Sequence, residues 1–154
     1  MEPVIILISI IITLVFSAFF SGMEIAFISA NRLKIALDDK QGGVKAKILA
    51  YFAKKPAAFI GTMLLGNNAA IVAYSMFMAM AIDDPLTDLI GMAWLVLLIQ
   101  TIITTILVLI FAEFLPKAIF HINPNRALSM LAFPLAIIYG ILWLPTFLII
   151  GLAE

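Results

Sequence analysis

The chain has 154 residues, of which 65% are hydrophobic and 12% are charged. Soluble domains are about 45–50% apolar and about 25% charged, so this composition excludes a water-soluble domain and predicts an integral membrane domain. The formal net charge is zero and there is no cysteine, which argues against nucleic-acid binding and excludes disulfides, thiolate metal sites and cysteine nucleophiles.

The first predicted element is a membrane-spanning helix at about residues 3–30. It begins without the basic flank or short apolar core of a signal peptide, which favours a mature span. It is longer than the about 20 residues that cross a bilayer, so we expect it to tilt or project. Residues 33–55 then mix basic and apolar side chains. Gly42-Gly43 divides them into two short amphipathic helices, which we expect to lie at the membrane interface.

Two further spans follow. Pro56 suits the first turn of a helix, and the second span is predicted at residues 56–82. The acidic residues 83–88 are predicted to form a short turn. The third span is predicted at residues 89–120, before Asn-Pro-Asn breaks the helix.

The last apolar stretch lies within residues 124–152 and has two interpretations. It forms either a fourth span or a proline-broken pair of interfacial helices, which would leave the C-terminus in the cytosol. Pro134 and Pro145 disfavour a straight span, although membrane helices do tolerate proline.

The basic residues predict the orientation. All nine lie between the first two spans or from Lys117 to Arg126, whereas the other side carries acidic residues and no basic one. We expect a multi-pass protein of the inner (plasma) membrane. By the positive-inside rule, its N-terminus is predicted to lie outside the cell and its basic loop in the cytosol. The basic loop should attract anionic lipid headgroups, by about 1 kcal/mol per Lys or Arg near the surface.

Ser21-Gly22-Met23-Glu24 is the first polar interruption of a span. Ser21 and Glu24 share a helix face, and Gly22 permits local unwinding or close packing. A carboxylate at this depth needs protein, water or a cation beside it. The alternatives are a solvated or ion-paired Glu24 near the cytosolic interface and a Ser21 hydroxyl bonded to its own helix.

Gly66-Asn67-Asn68 interrupts the second span. Two adjacent amides cannot point the same way, so at least one is expected to face other helices. The amide could join helices by hydrogen bonds, which is common in membranes. It could instead offer a neutral carbonyl oxygen to a hard cation.

Glu113 and Pro116 form the third interruption. Proline has no N–H, so the carbonyl of Ala112 is predicted to be free beside the Glu113 carboxylate, as a desolvated cation requires. The alternative is a Glu113–Lys117 ion pair, but we favour the cation interpretation.

The three interruptions are predicted to converge. Each lies eleven or twelve residues from a cytosolic marker, about 16–18 Å along its helix. Their donors are all oxygen atoms, which suit Mg²⁺, Ca²⁺ or Na⁺ rather than soft metals.

These motifs, in this order and spacing, resemble the membrane domain of the cyclin-M/CorC family of magnesium transporters over nearly the whole chain. The resemblance implies that residues 1–154 form a single transmembrane domain. It would be an all-α homodimer of three transmembrane helices plus amphipathic juxtamembrane helices, with the C-terminus in the cytosol. Cytosolic nucleotide-binding CBS modules would follow in the full-length protein.

The resemblance also implies Mg²⁺ efflux, coupled to Na⁺, through a dehydrated cation site that opens to the cytosol. The residues that match the family's ligand motifs are Ser21, Asn67 or Asn68, and Glu113, with backbone oxygens of Gly22, Gly66 or Ala112. The supporting residues are Glu24, Pro116 and Lys117. Many relatives have Gly at the position of Ala112 and Asn at the position of Ile71. Ala112 is expected to narrow the approach of the backbone to the ion, and Ile71 is expected to remove one polar ligand.

Two other classes of function are open to a helical membrane domain. In a non-transporting scaffold or regulatory subunit, the polar groups would only stabilise helix packing. An intramembrane enzyme is not expected, because the sequence has no His-Glu-x-x-His and no Gly-x-Ser-x-Gly motif. Its single histidine, His121, is predicted to lie near the cytosolic interface.

Overall fold

The computed structural model describes the backbone of residues 2–153 and the side chains of residues 2–143, and this part of the chain is helical without strands. Its helices, in chain order, are α1 (Pro3–Ser29), α2 (Arg32–Gln41), α3 (Val44–Lys54), α4 (Pro56–Ile90), α5 (Ala93–Leu107), a π-helical segment (Val108–Phe114), α6 (Leu115–Ile122), α7 (Pro124–Met130) and α8 (Ala132–Ala153).

Three stretches are long and apolar enough to cross a membrane, which confirms the predicted all-α membrane fold. They are α1, α4 and the continuous stretch Ala93–Ile122 formed by α5, the π segment and α6. Antiparallel α1 and α4 form the main contact of the bundle, and the third stretch packs on α1 beside it.

The two short helices of the basic loop form as predicted. Asn31 caps α2 by accepting a hydrogen bond from the Lys34 N–H at 3.1 Å. Gly42 and Gly43 have φ angles of +86° and +123°, which only glycine adopts readily, and they separate α2 from α3. We call the end of the bundle that carries α2 and α3 the basic side.

The predicted acidic turn at residues 83–88 is wrong. Helix α4 continues to Ile90, because Pro85 removes one backbone hydrogen bond without forbidding the helix. The reversal occurs at Gly91, where φ is +69° and the N–H donates to the Thr87 carbonyl at 2.9 Å. The third stretch therefore begins at Ala93 rather than at residue 89.

Helices α7 and α8 form a bent pair rather than one straight helix. The bend is 71°, and the break falls at Leu131. Pro134 explains this position, because it cannot donate to the Met130 carbonyl and its ring disfavours a helix there. Pro145 lies inside α8 and does not end it. The pair could count as one broken span by length and composition, so a fourth span and an interfacial pair both stay predictions.

An aromatic cluster holds the basic side together. It consists of Phe27, Phe52, Phe59 and Tyr139, which come from four different helices. The Phe27 and Phe59 rings stack at 4.1 Å between centroids, and Phe52 lies 4.9 Å from Tyr139. Such rings contribute mainly through the apolar area that they bury.

Polar contacts attach the end of α1 to α6 and α7. Ser29 Oγ lies 2.9 Å from His121 Nδ1, and the Asn31 N–H donates to Asn125 Oδ1 at 3.0 Å. His121 thus contacts α1, and this contact helps to fix how far α6 lies along α1.

Candidate metal site

Two glycines bring the helices of the candidate site close together. A Cβ atom at Gly66 would collide with the ring of Phe20, and one at Gly22 would lie 2.8 Å from the ring of Phe120. Helix α1 stays regular through Gly22. This glycine therefore provides close packing and not local unwinding.

Ser21 is one of four residues in the described part of the chain with a buried side-chain oxygen that has no hydrogen-bond partner; the others are Tyr74, Gln100 and Thr104. Ser21 is 0% exposed, and its Oγ has no hydrogen-bond partner among the described residues. The hydroxyls that bond the carbonyl four residues earlier are those of Ser9, Thr13, Thr62, Ser75 and Thr101. Ser21 makes no such bond, which contradicts the alternative of a hydroxyl bonded to its own helix. A buried polar group without a partner costs about 1–3 kcal/mol, so the position favours an added ligand.

The two adjacent asparagines face opposite ways, as predicted. Asn67 is only 9% exposed, whereas Asn68 is exposed. Asn67 Oδ1 accepts a hydrogen bond of 2.6 Å from Ser17 Oγ, which joins α4 to α1. Asn67 is therefore the amide that faces the bundle interior.

Ser17 is a residue that the sequence reasoning missed. It is 1% exposed and lies four residues before Ser21, on the same face of α1. That spacing was visible in the sequence. It went unused because a single serine in an apolar helix usually bonds its own backbone.

The π-helical segment changes the prediction about the freed carbonyl. The Leu115 N–H donates to the Ile110 carbonyl, five residues back. The Phe111 carbonyl loses both helical partners, because Leu115 donates elsewhere and Pro116 has no N–H. The carbonyl of Ala112 loses its α-helical partner, as predicted. The prediction was incomplete because it assumed an α-helical register; π segments are frequent at functional sites.

Glu113 lies within the π segment and is half-buried. No Glu113–Lys117 ion pair forms within 4.0 Å in the part of the chain that the structure describes. The alternative of an ion pair is thus absent from this arrangement, and the carboxylate stays available. Lys117 is also half-buried, and Pro116 is buried against the bundle.

Glu24 is half-buried, one turn nearer the basic side than Ser21. The closest basic residue along the chain, Arg32, places its guanidinium carbon 5.9 Å from the ring centroid of Phe27. The ion-paired alternative for Glu24 finds no support among the described side chains. The solvated and supporting roles both stay predictions.

The groups converge in part. Ser17 and Asn67 join α1 to α4 by their hydrogen bond, and the buried Ser21 lies about one turn further along the same face of α1. Gly22 faces Phe120 and Ser29 contacts His121, which are offsets of 98 and 92 residues between these parallel helices. These offsets put Glu113 level with residues 15–21 of α1, the stretch that contains Ser17 and Ser21. No hydrogen bond joins it to them in the described structure.

Tyr74 is a second residue that the sequence reasoning missed. It is 0% exposed, it packs in one cluster with Val108 and Ala112 of the third stretch, and its hydroxyl has no partner within the described region. It lies seven residues after Asn67 and so on the same face of α4. Tyr74 lies about 10 Å of rise along α4 from Asn67, towards the end of the bundle opposite the basic side.

The oxygen atoms of the candidate site suit a hard cation, although few of these ligands are charged. No group of three or more His, Cys, Asp or Glu residues could hold a metal within the described residues. The available donors are one carboxylate with amide, hydroxyl and backbone oxygens. Mg²⁺ accepts one or two carboxylates with neutral oxygens in an octahedron at about 2.0–2.1 Å.

Comparison with known proteins shows the family of the chain. Residues 7–154 match the family model described as the cyclin M transmembrane N-terminal domain. The chain is 34% identical over 120 residues to the UPF0053 inner membrane protein YfjD of Escherichia coli, which is 78% of this chain and 27% of that protein. It is 30% identical over 138 residues to a UPF0053 protein of Haemophilus influenzae, covering 87% of this chain and 31% of that one.

A UPF0053 protein of Mycoplasma genitalium, MG146, is 25% identical over 143 residues, which cover 90% of this chain and 33% of the relative. The chain therefore spans at most about a third of the length of these curated relatives.

Proposed function

The chain belongs to the family of cyclin M transmembrane N-terminal domains, and on that premise we propose that it is the membrane domain of a magnesium transporter. Similarity to an inner membrane protein of Escherichia coli supports a place in the inner membrane. The distribution of basic residues supports an N-terminus outside and a site that opens to the cytosol. The physiological process is Mg²⁺ efflux, coupled to Na⁺ entry.

The buried Ser21 hydroxyl carries this proposal. It lies without a partner about one helical turn along α1 from the Ser17–Asn67 hydrogen bond. A membrane helix rarely leaves such a group unsatisfied, because hydrocarbon offers no replacement partner. A cation at this point would satisfy Ser21 and draw on the Asn67 carbonyl oxygen.

The third stretch supplies the remaining ligands in this proposal. Glu113 contributes the negative charge, and the carbonyl of Ala112 contributes a backbone oxygen. A dehydrated Mg²⁺ binds from the cytosolic side and leaves outward after the helices rearrange. A homodimer would help to enclose the site, since three spanning helices provide little interior.

The direct test is Mg²⁺-dependent thermal stabilisation of the purified chain in detergent. Ser21→Ala and Glu113→Gln should each abolish most of the stabilisation by Mg²⁺. The matched controls are Ser75→Ala, whose hydroxyl bonds its own helix at 2.9 Å, and Asp88→Asn at an exposed position. Full stabilisation in both site variants would overturn the assignment of the ligands.

Transport itself needs a flux measurement. The chain reconstituted in liposomes should carry Mg²⁺ down a gradient, with a rate that depends on an opposing Na⁺ gradient. Glu113→Gln should remove the flux, while Asp88→Asn should retain it. A protein that binds Mg²⁺ but gives no flux with either gradient would contradict a transport function for this domain.

A second candidate function is a non-transporting membrane scaffold, and one observation favours it. The Ser17–Asn67 hydrogen bond joins α1 to α4 without a cation, which supports a role of Asn67 in helix packing. In a scaffold, Asn67→Ala would lower the free energy of unfolding and leave the response to Mg²⁺ unchanged. Loss of that response would favour the transporter.

A further inference from the structure

A cavity of about 670 Å³ lies on the basic side, between α2, α3 and α7. Its size falls within the range of about 300–1,000 Å³ that is usual for small-molecule sites. The cavity is separate from the candidate cation site, since none of the proposed cation ligands lines it.

The cavity concentrates positive charge. Lys34, Lys45 and Arg126 line it with a single carboxylate, that of Asp38. None of the three cations pairs with a carboxylate within 4.0 Å in the described part of the chain. Lys45 instead places its ammonium 5.6 Å from the ring centroid of Phe133. Three cations and one carboxylate leave the cavity lining with a net positive charge, and an anion between the cations would relieve their mutual repulsion.

The backbone at the cavity reinforces its preference for an anion. Val44, Lys45 and Ala46 form the first turn of α3 and line the cavity. The preceding Gly43 provides no side-chain cap, and the turn has no acidic residue. The first N–H groups of a helix lack intrahelical partners and attract negative charge.

Apolar side chains form the rest of the wall. Ile35 and Leu49 are buried members of the core, and Met130 is exposed at the rim. We propose that this cavity binds the phosphate group of an anionic phosphate ester through Lys34, Lys45 and Arg126. The apolar wall suits the acyl-chain methylene groups that lie next to the headgroup of a phospholipid, whereas a soluble phosphate would share only the contacts with the cations.

Isothermal titration of the full chain in uncharged detergent tests the proposal. The probes are short-chain phosphatidylglycerol, short-chain phosphatidylcholine as the zwitterionic control, and inorganic phosphate. Phosphatidylglycerol should bind and phosphatidylcholine should not. Competition by inorganic phosphate at similar concentration would identify a soluble source, whereas binding of the lipid alone would identify a headgroup. Failure of both anionic probes to bind would overturn the proposal.

Charge-matched variants separate the cavity from general surface attraction. Lys34→Gln with Arg126→Gln should weaken binding about thirty-fold, which corresponds to about 1 kcal/mol per charge. The control double variant, Lys40→Gln with Lys54→Gln, removes the same amount of charge outside the cavity. It should weaken binding less than about three-fold, because these two lysines attract the anion only through a screened, longer-range interaction. Equal losses in the two double variants would overturn the site.

A gain of binding keeps the test independent of folding defects. Asp38 lines the cavity and its neighbour Asp39 does not. Asp38→Asn should therefore tighten binding of the anionic probe, by about five-fold for one unfavourable charge near the ligand. Asp39→Asn should leave it unchanged. Equal effects of the two substitutions would contradict a ligand inside the cavity.

Discussion

Replacing Ser17 by alanine removes the hydroxyl that donates to Asn67 Oδ1 at 2.6 Å. Hydrogen bonds between membrane helices contribute about 0.6 kcal/mol on average and about 1.7 kcal/mol at most. We expect the free energy of unfolding without Mg²⁺ to fall by an amount in that range. Both groups are buried, so water does not replace the lost bond.

The same substitution should tighten Mg²⁺ binding. In the proposed site, the Asn67 oxygen must turn from Ser17 to the ion, so the Ser17–Asn67 hydrogen bond would oppose binding. Without it, the Kd for Mg²⁺ should fall by about 3-fold to about 16-fold, since about 1.4 kcal/mol corresponds to a factor of ten.

Thermal unfolding of the purified protein over a Mg²⁺ titration measures both effects. Ser9→Ala is the control, because its hydroxyl bonds the Ile5 carbonyl of its own helix at 2.8 Å and should change neither quantity. Weaker Mg²⁺ binding by the Ser17→Ala variant would refute the reasoning, because it would show that Ser17 assists the ion rather than competing with it.

Three further predictions concern the backbone. Gly66→Ala should lower the free energy of unfolding in denaturant by about 1–3 kcal/mol, because the added Cβ collides with the Phe20 ring. Gly140→Ala has open space and is the control; equal effects would contradict the close contact. Pro116→Ala restores an N–H and should reduce stabilisation by Mg²⁺ without loss of stability in chelator; an unchanged Mg²⁺ response would argue against backbone ligands. Gly91→Ala forces a side chain into a φ of +69° and should cost about 1 kcal/mol in thermal unfolding, so an unchanged midpoint would argue against that turn.

The spans were predictable because hydropathy and helix length constrain a membrane protein strongly. The division of the basic loop at Gly42-Gly43 was equally accessible, since paired glycines punctuate helices. The turn after the second span was misplaced because Asp-Asp-Pro resembles a turn in its composition. Gly91, the residue that actually reverses the chain, looked ordinary in the sequence.

The sequence was enough to predict single residues of the candidate site, but it was not enough to predict the contacts between them. The sequence indicated Ser21, an asparagine and Glu113 as oxygen donors. It did not indicate that Ser17 engages Asn67, because that contact depends on how α1 and α4 are aligned. The π register around Pro116 was also hidden, since it follows from the whole third stretch and not from the proline alone.

An experimental structure determined in Mg²⁺ tests the central claim most directly. We predict an ion coordinated by Ser21 Oγ and the Glu113 carboxylate at about 2.0–2.1 Å, with the carbonyl oxygen of Asn67 or the backbone of Ala112 completing part of an octahedron. A structure in saturating Mg²⁺ in which Ser21 and Glu113 contact only protein, with the ion bound elsewhere, would contradict the account.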